Sequence, residues 1–504
     1  MSNWPILSIL TWLPCAGAIL VLFAGDARPR LARWLTLAFT VITFALSLVM
    51  LTQYHAGPGG FQLQENLAWI PGIHTSYHLG VDGIAVALIV LTSFTSILVI
   101  GGAWQVIKDK VHQYMAAMLV LEGLLIGVFC AMDALLFYLF FEAILIPMFF
   151  LIGIWGGPRR VYATLKFFIY TFFGSIFFLI GLLYMYHRAG TFDLQTLWAF
   201  PFTMQEQTWL FFSFLIAFAV KTPMVPVHTW LPDAHVEAPT GGSVILAAIM
   251  LKVGTYGFIR FSLPITPDAS QHFAWLVIVL SLIAIIYIGY VALVQPDMKK
   301  LVAYSSIAHM GFVTLGLFIV YILARQMHDV QTAALGVQGA VVQMVSHGFV
   351  SGALFTCIGV MYDRLHTREI AAYGGLAKVM PWFAAFWVLF AMANCGLPFT
   401  SGFVGEFMVI MSAFTANPWI ALLAAYSLII GAGYTLYLVK RIVWGTAPTK
   451  EAAAMPEINT REGLVLGAFA VAVLAMGVYP WPLMHLMDSS VSQLVTHLLA
   501  SKIG

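Results

Sequence analysis

Residues 218–235 read FAVKTPMVPVHTWLPDAH and place a cation and two prolines at the end of an apolar helix. Pro223 and Pro226 each remove a helical hydrogen bond and leave a carbonyl one turn earlier without its partner. At membrane depth, such a break is tolerated only where protein groups or water satisfy the backbone. Lys221, directly before the break, therefore predicts a small polar pocket inside a hydrophobic span.

The rest of the chain is strongly apolar. Of its 504 residues 61% are hydrophobic and 9% are charged, and the mean hydropathy is +0.93. A water-soluble fold of this length needs far more charge to cover its surface, so the composition predicts a membrane protein. Apolar stretches long enough to cross a hydrocarbon core of about 30 Å predict about fourteen transmembrane helices. The expected spans lie near 4–23, 31–52, 80–102, 114–132, 134–155, 162–186, 208–228, 240–263, 273–295, 301–323, 335–360, 380–409, 418–439 and 463–484.

Lys and Arg are distributed unevenly between the loops. With the N-terminus placed outside, the inner loops hold sixteen of the 23 basic residues and the outer side holds four. This asymmetry follows the positive-inside rule and predicts that both termini lie on the periplasmic side. The four residues assigned to the outer side are Arg188, Arg260, Arg325 and Lys502.

The sequence lacks the common motifs for a nucleotide, flavin or metal. Its four cysteines, at positions 15, 130, 357 and 395, are too dispersed for a CxxC pattern, and no GxGxxG, GxxxxGK or HExxH occurs. Residues 53–79 carry His55, His74 and His78, which we expect to be solvated loop residues rather than metal ligands. Any redox groups are therefore expected in other chains.

Several ionisable residues fall within the expected spans, where each costs about 2.5–3.5 kcal/mol to insert. Either they are structural pairs that hold helices together, or they form a path for protons. The presence of eight such residues in one chain favours the path for protons. The residues are Glu122, Glu142, Lys166, Lys221, Lys252, His309, His347 and Glu406.

Glu142 is the expected partner of Lys221. It precedes Pro147 by five residues, so it also lies beside an expected helix break. A buried lysine releases its proton more readily when its carboxylate partner moves away, and the pair can therefore act as a switch.

A second break is expected in MANCGLPFTSGFVGEFMVI, residues 392–410, just before Glu406. A glycine-rich packing helix is the alternative interpretation. Breaks in the seventh and twelfth spans predict two inverted five-helix repeats, residues 114–263 and 273–439, with ion sites at the broken helices. Residues 1–113 and 440–504 are the expected flanking regions.

Lys252, His309 and His347 are expected to relay protons between the repeats, because imidazole accepts and donates protons near neutral pH. Ser305 and Ser351, one turn away from the two histidines, are candidates for orienting the rings.

Other groups leave alternatives open. Lys166 is expected to extend towards the cytoplasmic interface, and Glu122 either serves proton uptake or pairs with a neighbouring helix. In residues 230–243, a group of three ionisable residues forms either a proton entrance or helix caps. These three are Asp233, His235 and Glu237.

The stretches FAVKTPMVPVHTWLPDAHVEAPTGGS, DMKKLVAYSSIAHMGF and GFVGEF resemble the antiporter-like membrane subunits of respiratory complex I, and the resemblance covers roughly residues 80–440. The M type is the most similar, because the L and N types carry lysine where this chain has Glu406, and the long lateral helix of the L type is missing. Residues 324–335 form a longer outer loop than the family leads us to expect. The resemblance implies a first half-channel at Glu142 and Lys221, a central Lys252, bridging residues His309 and His347, and an exit-side Glu406.

The sequence therefore predicts an all-α polytopic subunit of a proton-translocating NADH–quinone oxidoreductase in the bacterial inner membrane. Quinone reduction elsewhere would drive proton transfer, with FMN, iron–sulfur clusters and quinone in partner subunits. The expected partners are other membrane subunits, including L- and N-type chains, and lipid, but no nucleic acid. A subunit of a multi-subunit Na⁺/H⁺ antiporter is the alternative, and a non-transporting scaffold is a second one.

Overall fold

The computed structural model describes residues 4–327 and 330–503 and is almost wholly helical. The first half of the chain forms α1 (Ile6–Ala24), α2 (Pro29–Gln53), α3 (Gly83–Ala103), α4 (Val111–Cys130), α5 (Ala134–Ala143), α6 (Leu145–Trp155), α7 (Arg160–Ala189), α8 (Leu194–Ala199), α9 (Met204–Lys221), α10 (Trp230–Glu237), α11 (Thr240–Ile245), α12 (Leu251–Gly257) and α13 (Leu263–Ile265). Two π-helical segments, Leu246–Met250 and Phe258–Ser262, join α11, α12 and α13 into one continuous span.

The second half forms α14 (Pro267–Leu293), α15 (Met298–Phe318), α16 (Val320–Met327), α17 (Val330–Leu365), α18 (Leu376–Val379), α19 (Pro381–Asn394), α20 (Ser401–Ala416), α21 (Pro418–Val443), α22 (Lys450–Ala453), α23 (Thr460–Val478) and α24 (Trp481–Leu499). Within the described ranges, twelve continuous helical segments are long and apolar enough to cross a membrane. Two further crossings, α9–α10 and α19–α20, are interrupted. They correspond to the seventh and twelfth expected spans, in which breaks were predicted.

The helices differ in how much of their surface other helices cover. The span Thr240–Ile265 is fully enclosed, and α15 and α17 are nearly so, whereas most residues of α2, α7 and α23 are only partly buried or exposed. The exposed positions are apolar, as expected of a surface that faces lipid. Ionisable residues on the central helices are therefore shielded from both lipid and bulk water.

The break after α9 is satisfied by protein groups. The amide of Met224 donates to the carbonyl of Ala219 at 2.6 Å, and the indole Nε1 of Trp230 donates to the carbonyl of Val220 at 2.9 Å. The helix thus ends at Lys221 because the chain finds new donors for the carbonyls that the prolines release.

The break between α19 and α20 uses a glycine. Gly396 has a φ of +73°, in the left-handed region that favours glycine, and the amide of Leu397 donates to the carbonyl of Met392 at 3.1 Å. The expected break before Pro147 is also present, since α5 ends at Ala143 and α6 begins at Leu145.

The outer segment 53–79 is more ordered than we expected. It contains an antiparallel hairpin of β1 (Gln62–Ile70) and β2 (Thr75–Val81). His55 and His74 are exposed, but the expectation of solvation is wrong for His78. Its ring is buried and its Nδ1 lies 3.4 Å from Oδ1 of Asp193, because the hairpin folds onto the outer end of the bundle.

Arg260, expected on the outer side, is buried, and its side of the membrane stays a prediction. The residue lies within a buried π-helical segment and pairs with Asp82, the N-cap of α3. Its guanidinium also stacks on Phe61 and Tyr256. A buried arginine is tolerated here because it has a carboxylate partner and two aromatic faces.

The C-terminal region and the expected outer loop 324–335 also differ from the prediction. After α23, which ends at Val478, the chain forms a further helix, α24, that packs on α3 and α17. Most of the expected loop is helical, in the end of α16 and the start of α17, while positions 328 and 329 lie outside the described residues.

Candidate functional site

Lys252 lies at the centre of the bundle and is completely buried. It belongs to α12, between two π-helical segments, which are often found at functional sites because they shift backbone groups out of the α-helical register. Its Nζ lies 2.6 Å from the carbonyl oxygen of Ala247 and 2.6 Å from Nδ1 of His347 in α17. Two residues expected in the relay are therefore in direct contact.

The contact between Lys252 and His347 restricts their protonation. An ammonium group has only donors, so it can bond to Nδ1 only when that nitrogen carries no proton. The carbonyl of Ala247 accepts a second hydrogen of the amine. Because both partners cannot donate into the same hydrogen bond, the pair carries at most one positive charge in this geometry.

A second hydrogen-bonded group surrounds Glu406. Nδ1 of His309 lies 2.7 Å from Oε1 of Glu406, and Nε2 of His309 lies 3.2 Å from Oδ1 of Asn394. Nδ2 of Asn394 donates to Thr435 at 3.2 Å, which leaves its Oδ1 as the acceptor for the ring. Nε2 of Gln343 donates to the same carboxylate oxygen of Glu406 at 3.1 Å.

These partners fix the tautomer of His309. Since Nε2 donates to Asn394, the hydrogen bond between Nδ1 and Glu406 contains the proton that can move. The pair is either an imidazolium with a carboxylate, or a neutral ring with a carboxylic acid. Both forms keep the same heavy-atom geometry, so the exchange of the proton needs no rearrangement.

The two groups approach each other through their histidines. The ring centroids of His309 and His347 are 5.8 Å apart. Nε2 of His347 has no hydrogen-bond partner within the part of the chain that the structure describes. Lys252, His347, His309 and Glu406 thus form a row with one gap, between the two rings.

Lys221 and Glu142 are close but not directly paired. The amine of Lys221 is buried, has no hydrogen bond to any described residue, and lies 4.5 Å from the ring centroid of Phe141. The side chain of Glu142 is near enough to interact with it electrostatically. The structure therefore places Lys221 near Glu142 with its amine over the ring of Phe141, and the two residues do not form a hydrogen-bonded ion pair.

Gly254 connects the break after Lys221 with the helix that carries Lys252. A Cβ at position 254 would lie 2.7 Å from the amide nitrogen of Thr222 and 3.0 Å from the carbonyl carbon of Lys221. Only glycine allows the two backbones to approach this closely. The broken helix thus packs directly against the helix that carries the central lysine.

Glu122 lies apart from this row. It is buried in α4, beside Cys15 and Ser96, and neither of its oxygens meets the hydrogen-bond geometry with any described residue. Its role stays a prediction.

Lys166 and the two serines near the histidines have other surroundings than the relay. Nζ of Lys166 forms an ion pair with Asp233 at 2.7 Å, and its position at the cytoplasmic interface stays a prediction. Ser305 donates to the carbonyl of Val302, and Ser351 has no hydrogen bond to a described residue. The histidine rings are oriented instead by side chains from other helices, which sequence spacing does not reveal.

The segment 230–243 is part of the fold rather than an exposed loop. His235 is completely buried and stacks on Phe355 at 4.5 Å. Glu237 accepts a hydrogen bond from the amide of Arg159 at 2.9 Å and lines a cavity of about 810 Å³ together with Lys299. The cap interpretation is therefore wrong for Asp233 and Glu237, because both bind groups outside their own helix.

Gln343 was not expected at the site. Its contact with Glu406 places it in the site although it lies 63 residues away in sequence. A neutral amide in a long apolar helix carries no signal that separates it from an ordinary packing residue.

Comparisons with known proteins identify the family of the chain. Residues 131–431 match the family described as "NADH:quinone oxidoreductase/Mrp antiporter, TM". The NADH-quinone oxidoreductase subunit M of Rhodobacter capsulatus is 49% identical over 507 residues, which cover 97% of this chain and 96% of that protein.

Solved structures show the same fold. A chain of respiratory complex I from Thermus thermophilus with bound NADH gives a TM-score of 0.88 at 30% identity, over 98% of this chain and 99% of that one. A chain of the Mrp complex from Dietzia sp. gives 0.81 at 22% identity, over 99% of this chain and 52% of that one, and shares the fold. The chain therefore belongs to the NADH:quinone oxidoreductase/Mrp antiporter transmembrane family, as an M-type antiporter-like membrane subunit of NADH-quinone oxidoreductase.

Proposed function

We propose that this subunit moves protons across the membrane through the row Lys252, His347, His309 and Glu406, with Lys221 and Glu142 as the switch. The observation that carries the proposal is the buried hydrogen bond of 2.6 Å between Lys252 and His347. A lysine and a histidine in direct contact away from bulk water can hold one proton between them but not two charges. Such a pair is suited to passing a proton on.

Each step of the proposed transfer uses a group described above. Lys252 gives a proton to Nδ1 of His347, and the proton on Nε2, which has no hydrogen-bond partner among the described residues, is the one passed on. Both nitrogens of His309 are hydrogen-bonded, so transfer across the 5.8 Å between the two ring centroids needs His309 to turn away from Glu406 or Asn394 and free one nitrogen, directly or through a water molecule. His309 then exchanges its proton with Glu406, which is the acceptor in the second expected repeat.

The switch at Lys221 controls the charge next to this row. A proton held against the membrane potential requires about 2.3 kcal/mol per 100 mV. A change in the separation of Lys221 and Glu142 supplies energy of this order, because the attraction between buried charges depends steeply on distance. Gly254 gives a direct mechanical route from that change to Lys252.

Quinone reduction in partner subunits is the proposed source of energy. In this proposal the chain itself holds no redox group, while FMN, iron–sulfur clusters and quinone belong to other subunits of the complex. Both termini face the periplasm, and the repeats 114–263 and 273–439 provide the two half-channels.

Proteoliposomes containing the purified complex test the switch. We expect Lys221→Met and Glu142→Gln to strongly reduce the number of protons pumped per NADH oxidised while the complex still assembles. Lys450→Met and Glu451→Gln, at exposed positions, are matched controls. Normal stoichiometry in both site variants would refute the proposal.

Two rivals make different predictions. A Na⁺/H⁺ antiporter subunit would move Na⁺ in exchange for protons without NADH and would not copurify with iron–sulfur chains; the shared fold of the Mrp chain is the reason to test it. A scaffold predicts that Lys252→Met lowers assembly or thermal stability and leaves proton flux per assembled complex unchanged.

A further inference from the structure

An open groove lies between α2 and the end of α3, at the basic end of these helices. It has a volume of about 510 Å³ and is lined by Arg30, Arg33, Trp34, Trp104 and Gln105. It is separate from the proton row, which lies in the enclosed centre of the bundle. Two cations and two large aromatic rings form most of its wall, and its lining contains no acidic residue.

The arginines of the groove have no acidic partner. Within the described ranges, neither Arg30 nor Arg33 forms an ion pair. The nearest acid in sequence, Asp26, is instead 3.0 Å from Nδ1 of His112. The positive charge of the groove is therefore available to an anion from outside the chain.

Part of the groove is held in place. One amino group of Arg33, Nη2, donates to the carbonyl of Ile107 at 2.9 Å, so the guanidinium is fixed at the end of the loop that follows α3. The rings of Trp34 and Trp104 meet edge to face, with centroids 5.1 Å apart. A fixed guanidinium fork loses little entropy on binding a phosphate, which it can contact with two parallel hydrogen bonds.

The position of the groove indicates the kind of anion. It opens on α2, few of whose residues are fully buried, and Trp34 and Leu31 there are 63% and 43% exposed. Tryptophan is enriched at the boundary between headgroups and acyl chains, and basic pockets between transmembrane helices bind anionic headgroups. Apolar surface for chains and cationic surface for a phosphate thus lie side by side.

We propose that this groove binds the phosphate headgroup of an anionic phospholipid from the adjacent leaflet. The two arginines contact the phosphate, and the tryptophans contact the glycerol and the upper acyl chains. Such a lipid would bridge α2 and the end of α3.

A photoactivatable phosphatidylglycerol tests the site on the intact complex. We expect cross-linking to peptides that contain residues 30–34 or 104–105. An excess of unlabelled phosphatidylglycerol should compete with this cross-linking at least about tenfold better than phosphatidylcholine does, because only phosphatidylglycerol carries a net negative charge. Equal competition by inorganic phosphate would show a site for a free anion instead.

Variants separate the site from general surface charge. Arg30→Gln and Trp34→Leu should each lower the cross-linking several-fold, and neither removes the hydrogen bond of Arg33 to the backbone. Arg441→Gln, at the basic end of α21, is the control and should not change the cross-linking. Unchanged labelling in both groove variants would overturn the proposal. Labelling of a neighbouring polypeptide instead of the groove peptides would also overturn it.

Discussion

Nζ of Lys252 lies 2.6 Å from Nδ1 of His347, and this contact joins α12 in the first expected repeat to α17 in the second. The two residues are 95 positions apart in sequence. A proton that reaches the central lysine therefore has a direct partner in the other half of the molecule, and the properties of this pair can be measured.

Loss of either member should stop the same step. We expect Lys252→Met or His347→Leu to lower proton pumping by about 100-fold, the scale of removing a proton-transfer group. The double variant should be no worse than either single one, since residues that act as a unit are not additive. The readout is proton uptake by proteoliposomes during NADH oxidation.

Exposed residues provide the controls for this pair. His485→Leu and Lys450→Met replace the same residue types outside the row and should pump normally. If the losses of pumping in the two single variants multiplied in the double variant, the two residues would not act in one shared step.

Glu406 should be needed for its proton rather than for its hydrogen bonds. Glu406→Gln can still bond to His309 and Gln343, but an amide cannot take up a proton. We expect the complex with Glu406→Gln to assemble but to lose proton pumping, while the complex with Glu406→Asp retains part of the pumping. Infrared difference spectra should show a carboxylic acid signal in the wild-type subunit that is lost in Glu406→Gln. A fully active glutamine variant would rule out proton exchange at this position.

Gly254 should be required for the close approach of α12 to the broken helix. Gly254→Ala places a methyl group against the backbone of Thr222 and should destabilise the subunit by about 1–3 kcal/mol through overpacking. Gly433→Ala, whose Cβ meets open space, is the matched control and should be neutral or stabilising by up to about 1 kcal/mol. Thermal unfolding of the purified complex measures the stability of both variants. Equal stability of the two would contradict the close packing of Gly254 against Thr222.

The contact of the hairpin with the loop before α8 should weaken in acid. Burial acts to raise the pKa of Asp193, but the contact with His78 and hydrogen bonds from Thr196 outweigh it and hold the pKa below its ordinary value of 3.8. The folded state thus favours the carboxylate, so its stabilising effect is present above pH 3.8 and is lost as the pH falls below that value.

Hydrogen exchange measures this loss. Amides of β2 and of residues 193–197 should exchange faster relative to the rest of the chain as the pH falls from 5 to about 3, after correction for intrinsic rates. Asp193→Asn should show the faster exchange already at pH 5 and little further change. A wild-type hairpin that stays equally protected throughout would disprove the role of this carboxylate.

The local features of the fold could be predicted from the sequence. Apolar length fixed the crossings, and Pro223, Pro226 and Gly396 marked two of the breaks, because these residues act on the backbone next to them. The sequence also marked the ionisable residues of the row as candidates, since charge inside a membrane is costly wherever it occurs.

Tertiary structure alone decided which of these groups meet. The spans are apolar on nearly every face, so the sequence does not reveal which face of a helix turns towards which neighbour. Lys252 thus bonds to His347, His309 bonds to Glu406, and Lys221 faces Phe141 rather than bonding to Glu142. Hydrophobic length acts along the chain and can be read from it, whereas partner choice in a buried network depends on the packing of helices that are distant in sequence.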